Sequence, residues 1–238
     1  MMLFPALALA LCAPLMAQTR ATPPEGDEII DVFAAEKLAD DSPCLEVRST
    51  GCVYTPAAGD GGLLIYLRGW WGQYRGSVPA RMRTVSARTI FREVGLQRVA
   101  DRSGLTVLVT GSSDVAVLDA DVKALERAAR RKFSRVAVAA HSGGFVGLEA
   151  TLQDLPAIVR VVMLDDFYFD REPLTGLIAA RVGSGAKCTG FVTTHNLDRW
   201  QKRFKPFVEC PVDVFADDEH TAAVGRCLGS YLDKTTCL

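Results

Sequence analysis

Ser142 lies in AHSGG (140–144), where an apolar run, RVAVAA, turns through small residues into a helix-like stretch, FVGLEATL. A serine hydroxyl is a weak nucleophile until a base takes its proton. The spacing small-x-Ser-x-Gly supplies the other requirement, a hydroxyl lifted clear of the chain. In so sharp a strand-to-helix turn the side chains two before and two after the serine would collide, which is why Ala140 and Gly144 suit those places. The alternative is a glycine-rich turn of the same shape with no chemistry in it.

The chain has three histidines to serve as the base. His141 is nearest in sequence, but the turn points its side chain away from Ser142. His195 ends an apolar run in TGFVTTHN and could face the site. His220 follows the last apolar run, in FADDEHTAAVG, just before a final helical stretch. The acid that orients an imidazole is sought at a strand end. Asp165 and Asp166 close VVMLDD, and Asp198 follows in TTHNLDRW, where it also reads as an acidic residue in the first turn of a helix. Asp217 and Asp218 read as a solvated loop beside His220.

The elements that must position these groups alternate along the chain. CLEVRSTGCVYTPA has the alternation of a short hairpin. Six apolar runs then follow, Leu63–Leu67, Leu105–Val109, Val136–Ala140, Val159–Leu164, Phe191–Thr194 and Val212–Phe215, each apolar on both faces as parallel strands covered by helices must be. Between them lie helical stretches over 80–100, 119–133, 143–152, 174–181, 197–204 and 221–232. Asp119 and Asp121 open the second of these, and Arg127, Arg130, Arg131 and Lys132 close it, in keeping with the helix dipole. This pattern predicts an α/β fold with a doubly wound, mostly parallel sheet and an N-terminal antiparallel hairpin at one edge. No internal repeat or lid-sized insertion interrupts it.

With the elbow in that context, the chain resembles the α/β-hydrolase superfamily over nearly all of residues 41–238, in a minimal form with no lid domain. The resemblance implies a Ser-acid-His order, with Ser142 as nucleophile, His220 as base and Asp165 as acid. His195 stands as the alternative base and Asp198 as the alternative acid. It also implies that the loop after the first strong strand, RGWWGQY, supplies an oxyanion donor, so that the N–H groups of Trp70 and Gly143 would hold the tetrahedral oxygen. Arg68 departs from the histidine that many members carry there. Trp70, Trp71, Tyr74, Phe167 and Tyr168 fall in loops at the carboxyl ends of strands and suggest an apolar or sugar-stacking wall.

The activity so implied is hydrolysis of a carboxylic ester, on a small molecule or borne on a polymer, through an acyl-enzyme and without cofactor or metal. A serine peptidase or amidase on the same scaffold, and a non-catalytic envelope or binding protein of this fold, are the competing readings. Charge excludes little but does exclude something: 27 basic residues meet 28 acidic ones, and no basic run interleaves with aromatics as a nucleic-acid groove requires. After the first residues no apolar run has the length of a membrane span. A monomer is expected.

The opening MMLFPALALALCAPLMA carries no charged side chain and reads as a secretory signal over 1–17, followed by a solvated linker over 18–40. Cys12 makes a poor lipidation site because Leu11 precedes it. Export to a periplasm or beyond agrees with the six other cysteines, Cys44, Cys52, Cys188, Cys210, Cys227 and Cys237, which can form three disulfides. Proximity favours Cys44 with Cys52, Cys188 with Cys210, and Cys227 with Cys237. No CxxC occurs and the histidines are scattered, so a metal site is not expected.

Overall fold

The computed structural model describes residues 43–47, 51–59, 61–69, 87–111, 115–167, 172–206, 208–216 and 222–233. The strands are β1 (Leu45–Val47), β2 (Gly51–Tyr54), β3 (Gly62–Leu67), β4 (Thr106–Thr110), β5 (Arg135–His141), β6 (Ile158–Leu164), β7 (Lys187–Thr193) and β8 (Val212–Phe215). They form one sheet in the order β1-β2-β4-β3-β5-β6-β7-β8. β3 to β8 run parallel to one another, whereas β2 pairs antiparallel with both β1 and β4. The hairpin therefore sits at one edge, and the whole is an α/β-hydrolase fold.

The helices are α1 (Ala87–Glu93), α2 (Leu96–Ser103), α3 (Asp119–Ala129), α4 (Phe145–Asp154), α5 (Glu172–Gly183), α6 (Leu197–Arg199, continued by a π-helical segment Trp200–Phe204) and α7 (Ala222–Asp233). Side chains of a strand alternate between faces, and here both faces are apolar. Leu63, Ile65 and Leu67 of β3 join Val122 and Leu125 of α3, Leu148 and Leu152 of α4, and Ile178 of α5 in one core. Leu64 and Tyr66, the intervening residues, join Ile90 and Phe91 of α1, Leu96 and Val99 of α2, and Val224 and Leu228 of α7 in the other. The double winding is thus written into the strands, since neither face tolerates water.

Two helices depart from the sequence reading. The stretch over 80–100 is read as one helix, but Gly95 adopts φ 72° and breaks it into α1 and α2; its first residues, 80–86, lie outside the described residues. A side chain would be strained at that φ, and glycine is not. α3 ends at Ala129 rather than near Phe133, because Arg130 turns left-handed at φ 50° and Glu126 reaches forward to accept the Phe133 N–H at 2.9 Å. Of the basic residues expected to close this helix, only Arg127 lies in its last turn.

Disulfides pin the two ends of the sheet. Cys44–Cys52 closes the β1–β2 hairpin, whose Cys44 carbonyl accepts two hydrogen bonds from the buried Arg88 of α1, each at 3.1 Å. Cys188–Cys210 ties the start of β7 to the segment entering β8. Cys227 is also disulfide-bonded; its expected partner, Cys237, lies outside the described residues. No helix among the described residues is long and apolar enough to cross a membrane.

Candidate active site

The strand order reverses at β3. The chain passes from β3 outward to β4 and then returns to place β5 on the other side of β3. At such a switch point the loops leaving adjacent strands diverge and open a crevice beyond their carboxyl ends. The loop leaving β3 begins at Arg68 and Gly69, and the one leaving β5 begins at Ser142. Both start at the same level of the sheet, because Leu67 and Ala140 stand opposite each other in the β3–β5 register.

Ser142 opens a single 3-10 turn, Ser142–Gly144, that joins β5 directly to α4. Its φ is 52°, a left-handed conformation that an L-residue adopts only under constraint. The constraint is packing of the β3 loop. A Cβ on Gly144 would lie 2.3 Å from the Leu67 carbonyl oxygen, and one on Gly69 would lie 2.7 Å from both the Ser142 Cβ and the His141 carbonyl oxygen. Only glycine lets the two loops approach this closely. Ser142 is 8% exposed, buried at the carboxyl end of β5.

His141 points away from Ser142, as the elbow requires. Its ring is buried, and Nδ1 is 2.9 Å from the Tyr66 hydroxyl of β3. Burial pushes the Tyr66 phenol well above its usual range; Arg68 pulls it down and Asp166 adds to the rise. Tyr66 thus stays protonated and can donate to the ring.

Asp165 follows β6 and is fully buried, again with a left-handed φ, 51°. The end of β7 holds its carboxylate. Oδ1 accepts the Thr193 N–H at 2.9 Å, the Thr193 hydroxyl at 3.0 Å and the Asn196 side-chain amide at 3.0 Å, while Oδ2 meets the same hydroxyl at 3.0 Å. Both oxygens of the carboxylate are thus hydrogen-bonded from the end of β7. Asp166, equally buried, accepts the N–H of Phe145, the first residue of α4, at 3.1 Å.

The alternative base and acid are both exposed. Asp198 is on the solvated side of α6, 70% exposed and paired with Lys202 at 2.7 Å, the role of an acidic residue in a first helical turn. His195 is exposed in the turn after β7. Phe167, expected in the wall of the site, is instead buried in the core with its ring 5.2 Å from that of Phe204. Trp70, Trp71, Tyr74, Tyr168, Asp217, Asp218 and His220 lie outside the described residues. Among the described residues no cluster of histidine, cysteine and carboxylate side chains could hold a metal.

The sequence reading missed Thr193 and Asn196. Their signal was present in TTHN, a polar cluster at the end of an apolar strand, but the target of their hydrogen bonds was not.

No protein-family model matches the chain, and no curated protein matches it in sequence. Among solved structures it is similar to LpqC, a poly(3-hydroxybutyrate) depolymerase from Bordetella parapertussis, with 11% identity, a TM-score of 0.51, and 89% of this chain and 95% of that one covered. The esterase Pf2001 from Pyrococcus furiosus is similar at 15% identity and a TM-score of 0.40, over 76% of this chain and 87% of its own. At 11% identity the first likeness shows the fold alone, and the second shows less than that.

Proposed function

We propose that this chain is an exported serine hydrolase that cleaves carboxylic esters with Ser142 as nucleophile, His220 as base and Asp165 as the acid that orients it. One observation carries the reading. Among the described residues three other than glycine have positive φ: Arg130 at a helix end, Ser142 and Asp165. The last two terminate β5 and β6, and strain of about 1–3 kcal/mol per residue persists where the surroundings over-determine it, often at functional sites.

In this mechanism His220 accepts the Ser142 hydroxyl proton as Oγ attacks the acyl carbonyl. The carbonyl oxygen becomes an oxyanion and rests on the N–H groups of Gly143 and Trp70. The carbon–oxygen bond to the alcohol then breaks, and the leaving alkoxide takes the proton from His220. Water next gives a proton to His220 and attacks the acyl-enzyme, and collapse of the second intermediate returns the proton to Ser142. The buried Asp165 supports the imidazolium that forms twice in this cycle.

The similar Bordetella protein is a poly(3-hydroxybutyrate) depolymerase; its substrate is a polyester, which supports testing polymer-borne esters alongside small ones. Disulfides, together with the uncharged apolar N-terminus, support export. The decisive experiment is labelling of the purified chain with a fluorophosphonate probe. Labelling is expected for wild type and lost in Ser142→Ala, and strongly reduced in His220→Ala and Asp165→Asn. A folded wild-type chain that takes no label would overturn the proposal, and faster turnover of peptide amides than of p-nitrophenyl esters would replace it with an amidase.

A further inference from the structure

Two carboxyl groups follow β6 in direct succession, both fully buried, and their surroundings are unequal. Asp165 faces the end of β7 and meets three donor groups there, the Thr193 N–H, the Thr193 hydroxyl and the Asn196 amide. Asp166 faces the elbow, where Oδ1 meets one N–H, that of Phe145, and the buried Oδ2 has no hydrogen-bond partner. Away from water, a charged carboxylate is far costlier than a neutral acid unless donors meet its oxygens. Asp166 has them on one.

We propose that Asp166 is a positioning residue that works as a neutral carboxylic acid, fastening the first turn of α4 to the end of β6 and so holding Ser142 in its strained turn. Phe145 is the third residue after Ser142, and its N–H both closes the elbow turn on the Gly143 carbonyl and donates to Asp166. A buried acceptor there fixes the turn from the side opposite the β3 loop. A charged acceptor would be stronger, but it would lie one residue from Asp165, in an apolar core, and repel it. Among the described residues, the titratable groups that act on Asp166 are Asp165 on its own strand end and Tyr66 on β3, whose phenol in turn feels Arg68 and hydrogen-bonds His141 of β5. Burial in their midst, with the Asp165 charge adding, holds the Asp166 proton well above the usual aspartate range against the lowering effect of the Phe145 N–H.

The sign of the effect on stability follows. The folded chain keeps the Asp166 proton where the unfolded chain has lost it, so the folded state is penalised as pH rises above the ordinary aspartate range. Asparagine has the same shape, accepts the Phe145 N–H through its oxygen and has no proton to lose.

The inference rests on Ser142 as nucleophile only for its labelling readout. The full chain would be melted from pH 4 to pH 8 as wild type, Asp166→Asn and Asp166→Ala, and fluorophosphonate labelling rates compared at pH 7, with Asp165→Asn alongside. The melting temperature of Asp166→Asn minus that of wild type should rise steadily with pH. Its labelling rate should stay within about threefold of wild type while that of Asp166→Ala falls more than tenfold, the rescue expected of a cap. A melting difference independent of pH would overturn the neutral form even if Asp166→Ala does not fold. Loss of labelling in Asp166→Asn with retention in Asp165→Asn would overturn the positioning role and make Asp166 the triad acid. If wild type takes no label, the hydrolase reading fails, and the melting series alone decides for or against the neutral cap.

Discussion

Asn196, in the turn after β7, donates its side-chain amide to Oδ1 of Asp165 at the end of β6, across 3.0 Å and 31 positions of sequence. Both residues are fully buried. The hydrogen bond ties two strand ends together around the Asp165 carboxylate, and Thr193 adds its N–H and hydroxyl to the same group.

Replacing Asn196 with alanine should therefore act on chemistry and stability together. Removing one donor from a buried carboxylate costs about 1–3 kcal/mol, and the melting temperature should fall accordingly. The carboxylate would also lose its fixed direction, so kcat for a p-nitrophenyl ester should drop while KM changes little. Thr193→Val, which keeps the N–H and removes the hydroxyl, should show a milder form of the same pattern. An unchanged kcat in Asn196→Ala would detach Asp165 from catalysis.

Glu126 gives the chain a stability that depends on acid. Burial would raise its carboxyl, but the Lys132 ammonium at 2.7 Å and the Phe133 N–H at 2.9 Å outweigh that and hold it below the usual glutamate range. A lowered value means the stabilisation is complete above the ordinary glutamate value, near 4.5, and disappears as pH falls through the lowered one. Lys132 is 87% exposed, so solvent screens its part and about 1 kcal/mol is expected in all. Glu126→Gln should melt below wild type at pH 7, and the gap should close in strong acid. A gap that stays constant with pH would show that charge on Glu126 contributes nothing.

The Cys188–Cys210 disulfide spans 22 positions and secures β7 to β8. By loop-closure entropy such a crosslink is worth about 3 kcal/mol. A Cys188→Ala, Cys210→Ala double variant should lose about that much in chemical denaturation. Its ester hydrolysis at low temperature should survive, since neither cysteine adjoins Ser142 or Asp165. Equal stability with and without the pair would mean that the β7–β8 ladder needs no staple.

What could be read from the sequence was what depends on neighbours in the chain. The central strands β3 to β7 showed as runs apolar on both faces, because the two cores each claim residues of the same strand, whereas the edge strand β8 leaves Asp213 and Val214 exposed. The sharp turn at Ser142 was legible for the same reason, since small residues that permit it lie within two positions. Long-range partners were hidden. Nothing local in TTHN reveals that Thr193 and Asn196 turn toward Asp165, because that depends on the β6–β7 register. Gly95 was read through as helix because a single glycine costs a helix only about 1 kcal/mol relative to alanine, and packing of α2 against α7 decided otherwise. Phe167 looked like a wall residue by position, yet Phe204, from the π-helical segment after α6, draws it into the core.

The strain at Ser142 leads to a prediction that opposes stability to function. Its φ of 52° is one that glycine adopts freely and serine does not. Ser142→Gly should relieve about 1–2 kcal/mol of strain, offset in part by about 0.5–1 kcal/mol from the greater freedom of the unfolded chain. A net gain of roughly 0.5–1 kcal/mol corresponds to a melting temperature higher by about 1–4 °C in a domain of this size. Ser142→Ala, which keeps the Cβ and therefore the strain, should melt close to wild type. Both variants should be silent to the fluorophosphonate. Paired melts of the three proteins make the comparison. If glycine lowers the melting temperature below that of alanine, the turn holds serine without strain, and the backbone argument for a nucleophile at this position fails.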